Sequence, residues 1–431
     1  MSVKKQHIIE IGLSAGIAVI FLVITYYVMN LRIPITSEKA KIQLFEVIKQ
    51  SLFPQDQSTM TDSIIMIDTH YDQQFVMEHV PDSTQTPKGI VSVTDRTKLL
   101  RCLNYLKKHN DYRYILMDII LDKAVSQKSD STLYRTISSM KRICIAKPHD
   151  CPLADSCLNE KAGVVQYKLA IWENDFVKYP YYTDYEKSLP LKMYEELTGN
   201  SINRHWFFYT DNALARNTVI LTFNNVDIRE RTYLGGMNNY SIEEILEDMD
   251  TKGKYILIGD FEDDLHNTFL GEIPGTMINY NAFLSLLSGH HRITFGTILF
   301  LVFVFALPIY FKITRYRHVK RLWVKFYSKF KKIRIWLLSF LKKRVPYTIM
   351  SWIGKIYHLI AISVLWRFLG KLASSIFSSW VGYPLYLIIV CWIYYVCFNE
   401  VYDMLITTLL FYLLDLFMDS YFEKQKAKQK I

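Results

Sequence analysis

The 431-residue chain has no HExxH pair, no GxxxxGK[S/T] loop and no glycine-rich kinase loop. These gaps remove the metalloprotease, P-loop and protein-kinase readings that depend on such motifs. Its six cysteines never stand in CxxC pairs, so no zinc framework is written into it. No internal repeat is visible. The histidines His70, His79, His266, His290 and His291 are scattered, and spacing alone nominates no nucleophile–base pair. The expectation is a protein that is not an enzyme and carries no cofactor.

Acidic residues are absent where basic ones crowd. Between Phe311 and Arg344 stand 13 Lys and Arg but no Asp or Glu. Residues 31–293 hold 29 basic and 35 acidic residues, whereas the remainder holds 22 and 6. The overall charge of +10 therefore gives no case for nucleic acid: a mildly acidic domain adjoins strongly basic sequence. That asymmetry is what the positive-inside rule produces around membrane spans.

Long apolar runs supply those spans. Ile8–Met29 is apolar except for Glu10 and is long enough for a hydrocarbon core of about 30 Å. Its small residues lie inside the run, which reads as an uncleaved anchor with its N-terminus in the cytoplasm. Thr294–Tyr310 is a second run, and Val381–Phe398 and Val401–Met418 form a third and fourth across Asn399-Glu400. The division expected is an anchor over 1–30, a globular domain over 31–293 and a span over 294–310. A basic region over 311–380, spans over 381–398 and 401–418 and a basic tail over 419–431 follow. Within the basic region, Trp323, Phe326, Tyr327, Phe330 and Ile333 recur at helical spacing. This predicts an amphipathic helix on anionic headgroups over 311–344, with a partner-binding helix as the alternative. The stretch 347–380 reads as interfacial or re-entrant, and both termini fall in the cytoplasm.

Inside 31–293, short apolar runs alternate with helical patterns. Strands are expected at Ile64–Ile67, Tyr114–Leu121, Ile143–Ala146, Val164–Trp172, Val219–Phe223 and Tyr255–Ile258. Helices are expected at Lys39–Leu52, Thr94–Lys107, Ser131–Met140 and Ile242–Met249. This order argues for an α/β domain built on a mostly parallel sheet, beside α-helical transmembrane segments. Glu173–Asn217 is aromatic-rich without a clear period and reads as an irregular insertion.

The strands end in acidic residues. Asp68, Asp118, Asp122, Asp260, Asp263, Asp264 and His266 make one candidate constellation, at the end of the sheet where open α/β folds bind ligands. It can hold a divalent cation or contact a small ligand. Equally, Asp is common where strands meet turns and where helices are capped. Arg96 can meet an anionic ligand or pair with Asp68 or Asp118. Gly259, Pro274 and Gly275 read as backbone-geometry residues. Cys151 and Cys157 in CPLADSC can close a short disulfide loop outside the cytoplasm, or remain free thiols.

The sequence resembles the CHASE2 domain, an extracytoplasmic sensory module of bacterial transmembrane receptors. The likeness rests on Ile64-Ile65-Met66-Ile67-Asp68, on GIVSVTDRTKLLRCLNYL with Gly89 and Arg96, and on YRYILMDIILD. It continues through Asp130–Leu133 and GKYILIGDFEDDLHNTFLGEIPGTMINYNAFLSLLSG, covering residues 35–290. The departures are a missing Trp-Pro between Gly89 and Arg96, and Met277-Ile278-Asn279 where Val-x-Ile-His is more usual. Such receptors continue into a kinase or cyclase, and no GGDEF-like or HRD-like motif stands here.

The resemblance implies a multi-pass inner-membrane sensor with its large domain outside, without its own output domain. It would signal through a separate membrane or cytoplasmic protein and is able to form a homodimer. The other readings are a structural or assembly subunit of a membrane complex and a metal-dependent envelope hydrolase.

Overall fold

The computed structural model describes residues 3–30, 38–52, 63–79, 87–127, 130–149, 153–165, 176, 178–183, 185–206, 208–220, 230–268, 271–314, 382–398, 400–401 and 404–428. The basic helix expected beyond residue 314, the 347–380 stretch and Cys151 lie outside them. The chain divides into two compact units, one of Asn30–Thr294 with Phe398–Glu400 and one of Met1–Met29, Phe295–Cys397 and Val401–Ile431.

The larger unit begins with α2 (Glu38–Leu52), after α1 (Val3–Met29) of the other unit. There follow β1 (Ile64–Asp68), β2 (Gln73–His79), β3 (Pro87–Thr94), α3 (Arg96–His109), β4 (Tyr114–Met117), α4 (Ser131–Ser139), β5 (Ile143–Lys147) and β6 (Ala162–Val164). A run of short elements comes next: β7 (Lys178–Pro180), β8 (Tyr182–Thr183), β9 (Glu186–Lys187), α5 (Leu189–Thr198), β10 (Asn203–Arg204), β11 (Tyr209–Thr210), β12 (Leu214–Ala215), β13 (Thr218–Ile220) and β14 (Thr232–Tyr233). The unit closes with α6 (Ile242–Asp248), β15 (Tyr255–Gly259), β16 (Leu265–Thr268), β17 (Gly271–Pro274) and α7 (Gly275–Leu287).

Six strands form one sheet in the order β14-β1-β15-β4-β5-β6. All of its pairings are parallel, with Ile64 opposite Tyr255 and Tyr255 opposite Tyr114. Side chains alternate across a strand, and here both faces are covered. Met66, Leu116, Cys144 and Leu257 pack under Leu191 and Met193 of α5 and Ile278 and Phe283 of α7. Ile65, Ile115, Ile145 and Ile256 pack under Leu103 of α3, Ile137 of α4 and Leu246 of α6. Continuous apolar runs mark strands buried on both faces, which explains the IIMI, YILM and YILI runs of β1, β4 and β15.

Helix boundaries follow local chemistry. Asp95 caps α3 by accepting from the amides of Thr97 and Lys98, and Asn110 closes the helix in the left-handed region. Ser241 and Glu244 form a reciprocal capping box on α6.

Three expected strands are shorter or placed differently. β4 stops at Met117, because the chain then turns into a single 3-10 turn, Lys123–Val125, capped by Asp122. β6 ends at Val164 and so meets the strand expected over Val164–Trp172 at one residue, while 166–172 lie outside the described residues. The Val219 strand pairs antiparallel with β7 in a separate ladder, not with the main sheet. The exposed hairpin of β2 and β3 was not among the expected strands.

The smaller unit contains α1, α8 (Phe295–Ile313), α9 (Gly382–Phe398) and α10 (Met404–Lys428). Two of these, over Lys5–Met29 and Phe295–Ile313, are long and apolar enough to cross a membrane, while Gly382–Phe398 is a shorter apolar helix. Phe21 packs edge-on against Phe305 and Phe411, and Tyr383 stacks on Phe411. Asp415, a charge inside the last apolar run, lies 3.2 Å from Lys312 and accepts from the Tyr383 hydroxyl at 3.0 Å. A GxSxG string does stand at Gly12–Gly16, but it lies within α1. Ser14 there donates to the Glu10 carbonyl at 2.7 Å, so this serine is helical packing and no nucleophile elbow.

Candidate functional site

The loops after β4 and β15 leave neighbouring strands toward opposite faces, one to α4 and the other to α7. Such divergence opens a crevice at the C-terminal edge of a parallel sheet. A cleft of about 770 Å³ lies there, lined by Thr69, Asp118, Ile120, Asp260, Asp264, His266 and Asn279 among others.

Asp118 follows β4 directly, and its amide continues the ladder by donating to the Ile258 carbonyl at 2.7 Å. Its half-buried side chain is oriented from α7: Asn279 Nδ2 donates to Asp118 Oδ2 at 2.8 Å. Tyr179, wholly buried, in turn donates to Asn279 Oδ1 at 2.6 Å, which fixes the amide the right way round. Burial, reinforced by the nearby Asp264 carboxylate, pushes the Asp118 pKa up from 3.8 to about 7.

Asp264 and His266 face each other at the cleft mouth, 3.0 Å apart. The hydrogen bond that His266 donates to Asp264 raises the His266 pKa above 6.5, against a smaller opposing effect of burial. Phe176 packs its ring edge-to-face on His266 at 5.1 Å. Gly275, first residue of α7, lies against this pair: a Cβ there would stand 2.4 Å from Asp264 Oδ2, and that carboxylate would have to shift. Gly259 is similarly fixed, since its Cβ would meet Thr276 Oγ1 at 2.1 Å. Both glycines answer to close approach, with no need for positive φ.

The other acidic residues make their contacts apart from Asp118 and Asp264, although Asp260 also lines the cleft. Asp68, wholly buried, takes Arg231 Nε at 2.8 Å and accepts from the amides of His70 and Phe261. Asp260 accepts from the amides of Glu262 and Asp263, and His70 Nδ1 lies 3.4 Å from both Asp260 and Asp263. Ligand atoms of His70, Asp260 and Asp263 lie within 4.8 Å of one another, the one trio among the described residues able to hold a metal ion together. The same contacts make an Asx turn under a histidine. Asp122 caps the 3-10 turn through the Ala124 amide at 2.8 Å and does not line the cleft.

Arg96 lines the cleft, but its partner differs from both expected. Its guanidinium pairs with Asp130 and donates to the Tyr134 hydroxyl at 2.9 Å, all nearly buried. Neither Asp68 nor Asp118 reaches it, because α3 starts one strand-loop away and faces α4 instead. Cys157 is a free thiol whose Sγ lies 3.9 Å from the Tyr134 carbonyl oxygen. Sequence reasoning named Asp118, Asp260, Asp264, His266 and Arg96 but missed Phe176, Tyr179 and Asn279. For Asn279 a signal was present, since the departure at Met277-Ile278-Asn279 falls on the residue that orients Asp118.

Among curated proteins and among solved structures, no match to this chain is found. The family model of the CHASE2 domain matches residues 63–309.

Proposed function

The chain belongs to the CHASE2 domain family, a family of sensory extracytoplasmic domains, and from that premise we propose that it is a membrane-anchored sensor whose ligand is a small organic cation held in the cleft at the ends of β4 and β15. The observation that carries this reading is Asp118. It is a half-buried carboxylate, held by one amide donor and faced by a second carboxylate, with the apolar walls of Ile119, Ile120 and Phe176 around it. A protonated amine with an apolar body would satisfy Asp118 and relieve its repulsion with Asp264. No bond-breaking role is assigned to the chain. The helices carry the occupied state inward, where a separate membrane or cytoplasmic signalling protein reads it. The basic stretch 311–344 rests on anionic lipid headgroups and is the natural docking segment.

The test is ligand-dependent thermal unfolding of the full chain in lipid nanodiscs, against panels of small amines and small carboxylates. A ligand at 100 times its Kd stabilises by about 2.7 kcal/mol. At least one amine should raise the midpoint, and Asp118→Asn should weaken that amine about tenfold or more. If carboxylates stabilise instead, or if Asp118→Asn leaves the amine response intact, the reading fails.

A further inference from the structure

The segment that follows β12 makes a set of contacts that no ligand site explains. Arg216 is 1% exposed, and its guanidinium reaches in two directions. Nη1 lies 3.3 Å from Oε2 of Glu400, itself 2% exposed, in the turn between α9 and α10. Nη2 donates at 2.7 Å to the carbonyl of His290, in the linker from α7 to α8. The linker is gripped again by the backbone. The Arg216 amide donates to His291 O at 2.8 Å, and the Ile293 amide donates to Leu214 O at 2.8 Å. One residue further on, the Asn217 amide donates at 2.7 Å to the side chain of Asn30, the first residue after α1.

Residues 214–217 therefore hold the chain where it comes from α1, where it departs for α8 and where it turns between α9 and α10. Asn30, His290–Ile293 and Glu400 all belong to the same compact unit as this segment. The segment itself is anchored to the domain. Asn217 exchanges bonds with the backbone of Tyr181 and Tyr182. Asp211 takes His291 Nε2 at 2.6 Å, Arg292 Nε at 3.0 Å and the Tyr194 hydroxyl at 2.9 Å. A buried charge keeps its place only while paired and hydrogen-bonded, so Glu400 has a strong preference for the position in which Arg216 meets it.

We infer that residues 214–217 form a junction that couples the connections of α1, α8, α9 and α10, so that a displacement at one is felt at the others. The junction acts downstream of the ligand reading and does not depend on which ligand the cleft accepts.

Hydrogen exchange resolved to single amides, on the full chain in nanodiscs, tests it. The reporters are the amides of Arg216, Asn217 and Ile293, none of which bonds to Glu400. Glu400→Gln, close in shape but uncharged, should speed exchange at all three by about tenfold, with the sheet amides of Ile115 and Ile145 unchanged. Asn30→Ala, entering from another corner, should speed Arg216 and Ile293 in the same manner. An effect of Glu400→Gln confined to residues 398–401 overturns the coupling. So does an even acceleration through β1, β4 and β15 in both variants, which would mean ordinary loss of global stability. Because neither variant touches the cleft, failure here leaves amine binding measurable, and loss of amine binding leaves the exchange pattern measurable.

Discussion

A carboxylate at the end of a buried strand, with one amide donor and a second carboxylate nearby, loses free energy on ionising. Asp118 is so placed, and its folded-state pKa of about 7 stands above its ordinary 3.8. The sign follows from linkage: the contribution is most favourable below pH 4 and is lost as pH rises toward and through 7. Asp118→Asn removes the ionisation while Asn279 can still donate to its oxygen. We expect the variant to exceed the wild type in stability by about 2 kcal/mol at pH 8, after discounting for cleft solvent, and to match it near pH 4. Denaturant unfolding at the two pH values measures both. A wild-type chain whose stability does not fall between pH 5 and 8 relative to the variant would place a full charge on Asp118 at neutral pH. His291 works the opposite way. Burial holds its pKa down at about 4, so its contribution is present above pH 6.5 and declines as pH falls toward 4.

At the scale of elements, the end of β15 and the start of α7 are set by the lack of two side-chain carbons. Gly259 lies against Thr276 with no room for a methyl group, and Asp118 Cβ is 3.4 Å from the same point. Gly259→Ala should therefore push α7 from the sheet and cost about 1–3 kcal/mol. Adding Thr276→Ala removes the clashing hydroxyl, and the double variant should recover about half of that loss. A double-mutant cycle in denaturant gives the coupling, and additive losses would show that the two positions do not press on each other. The end of β15 was among the parts most legible in the sequence, because the apolar run Tyr255–Ile258 breaks at Gly259-Asp260. β1, β4, β5 and α3 were legible too: their apolar periods have no competing element. The β2–β3 hairpin was not, because Phe75, Met77 and Ile90 point to solvent and give no inward alternation. The Arg96–Asp130 pair was hidden too, since a charge pattern does not say which helix a guanidinium will face.

For the whole molecule, connectivity supplies an expectation for side-of-membrane. Thr294 and Phe398 belong to one compact unit, so the chain that leaves it at α8 returns to it at the end of α9. An excursion that begins and ends at the same unit crosses a bilayer an even number of times. If α8 and α9 supply one crossing each, the sequence between residues 314 and 381 starts and finishes on the far side. With the 13 basic residues of 311–344, the expected far side is the cytoplasm. On that expectation the stretch 347–380, with Lys355, Arg367 and Lys371 among its apolar residues, is predicted to make no net crossing. The ion pair of Lys312 with Asp415 sets the far end of α8 beside the later half of α10. Reporter fusions after Arg344, after Trp380 and at the C-terminus should all be active in the cytoplasm, and one after Asp250 outside it. The fusion after Trp380 is decisive: activity outside the cytoplasm would make 347–380 a true span and would reverse α9 and α10. Glu400 would then lie on the cytoplasmic side, unable to reach Arg216 in an external domain, and the buried pair that joins them would have to be abandoned.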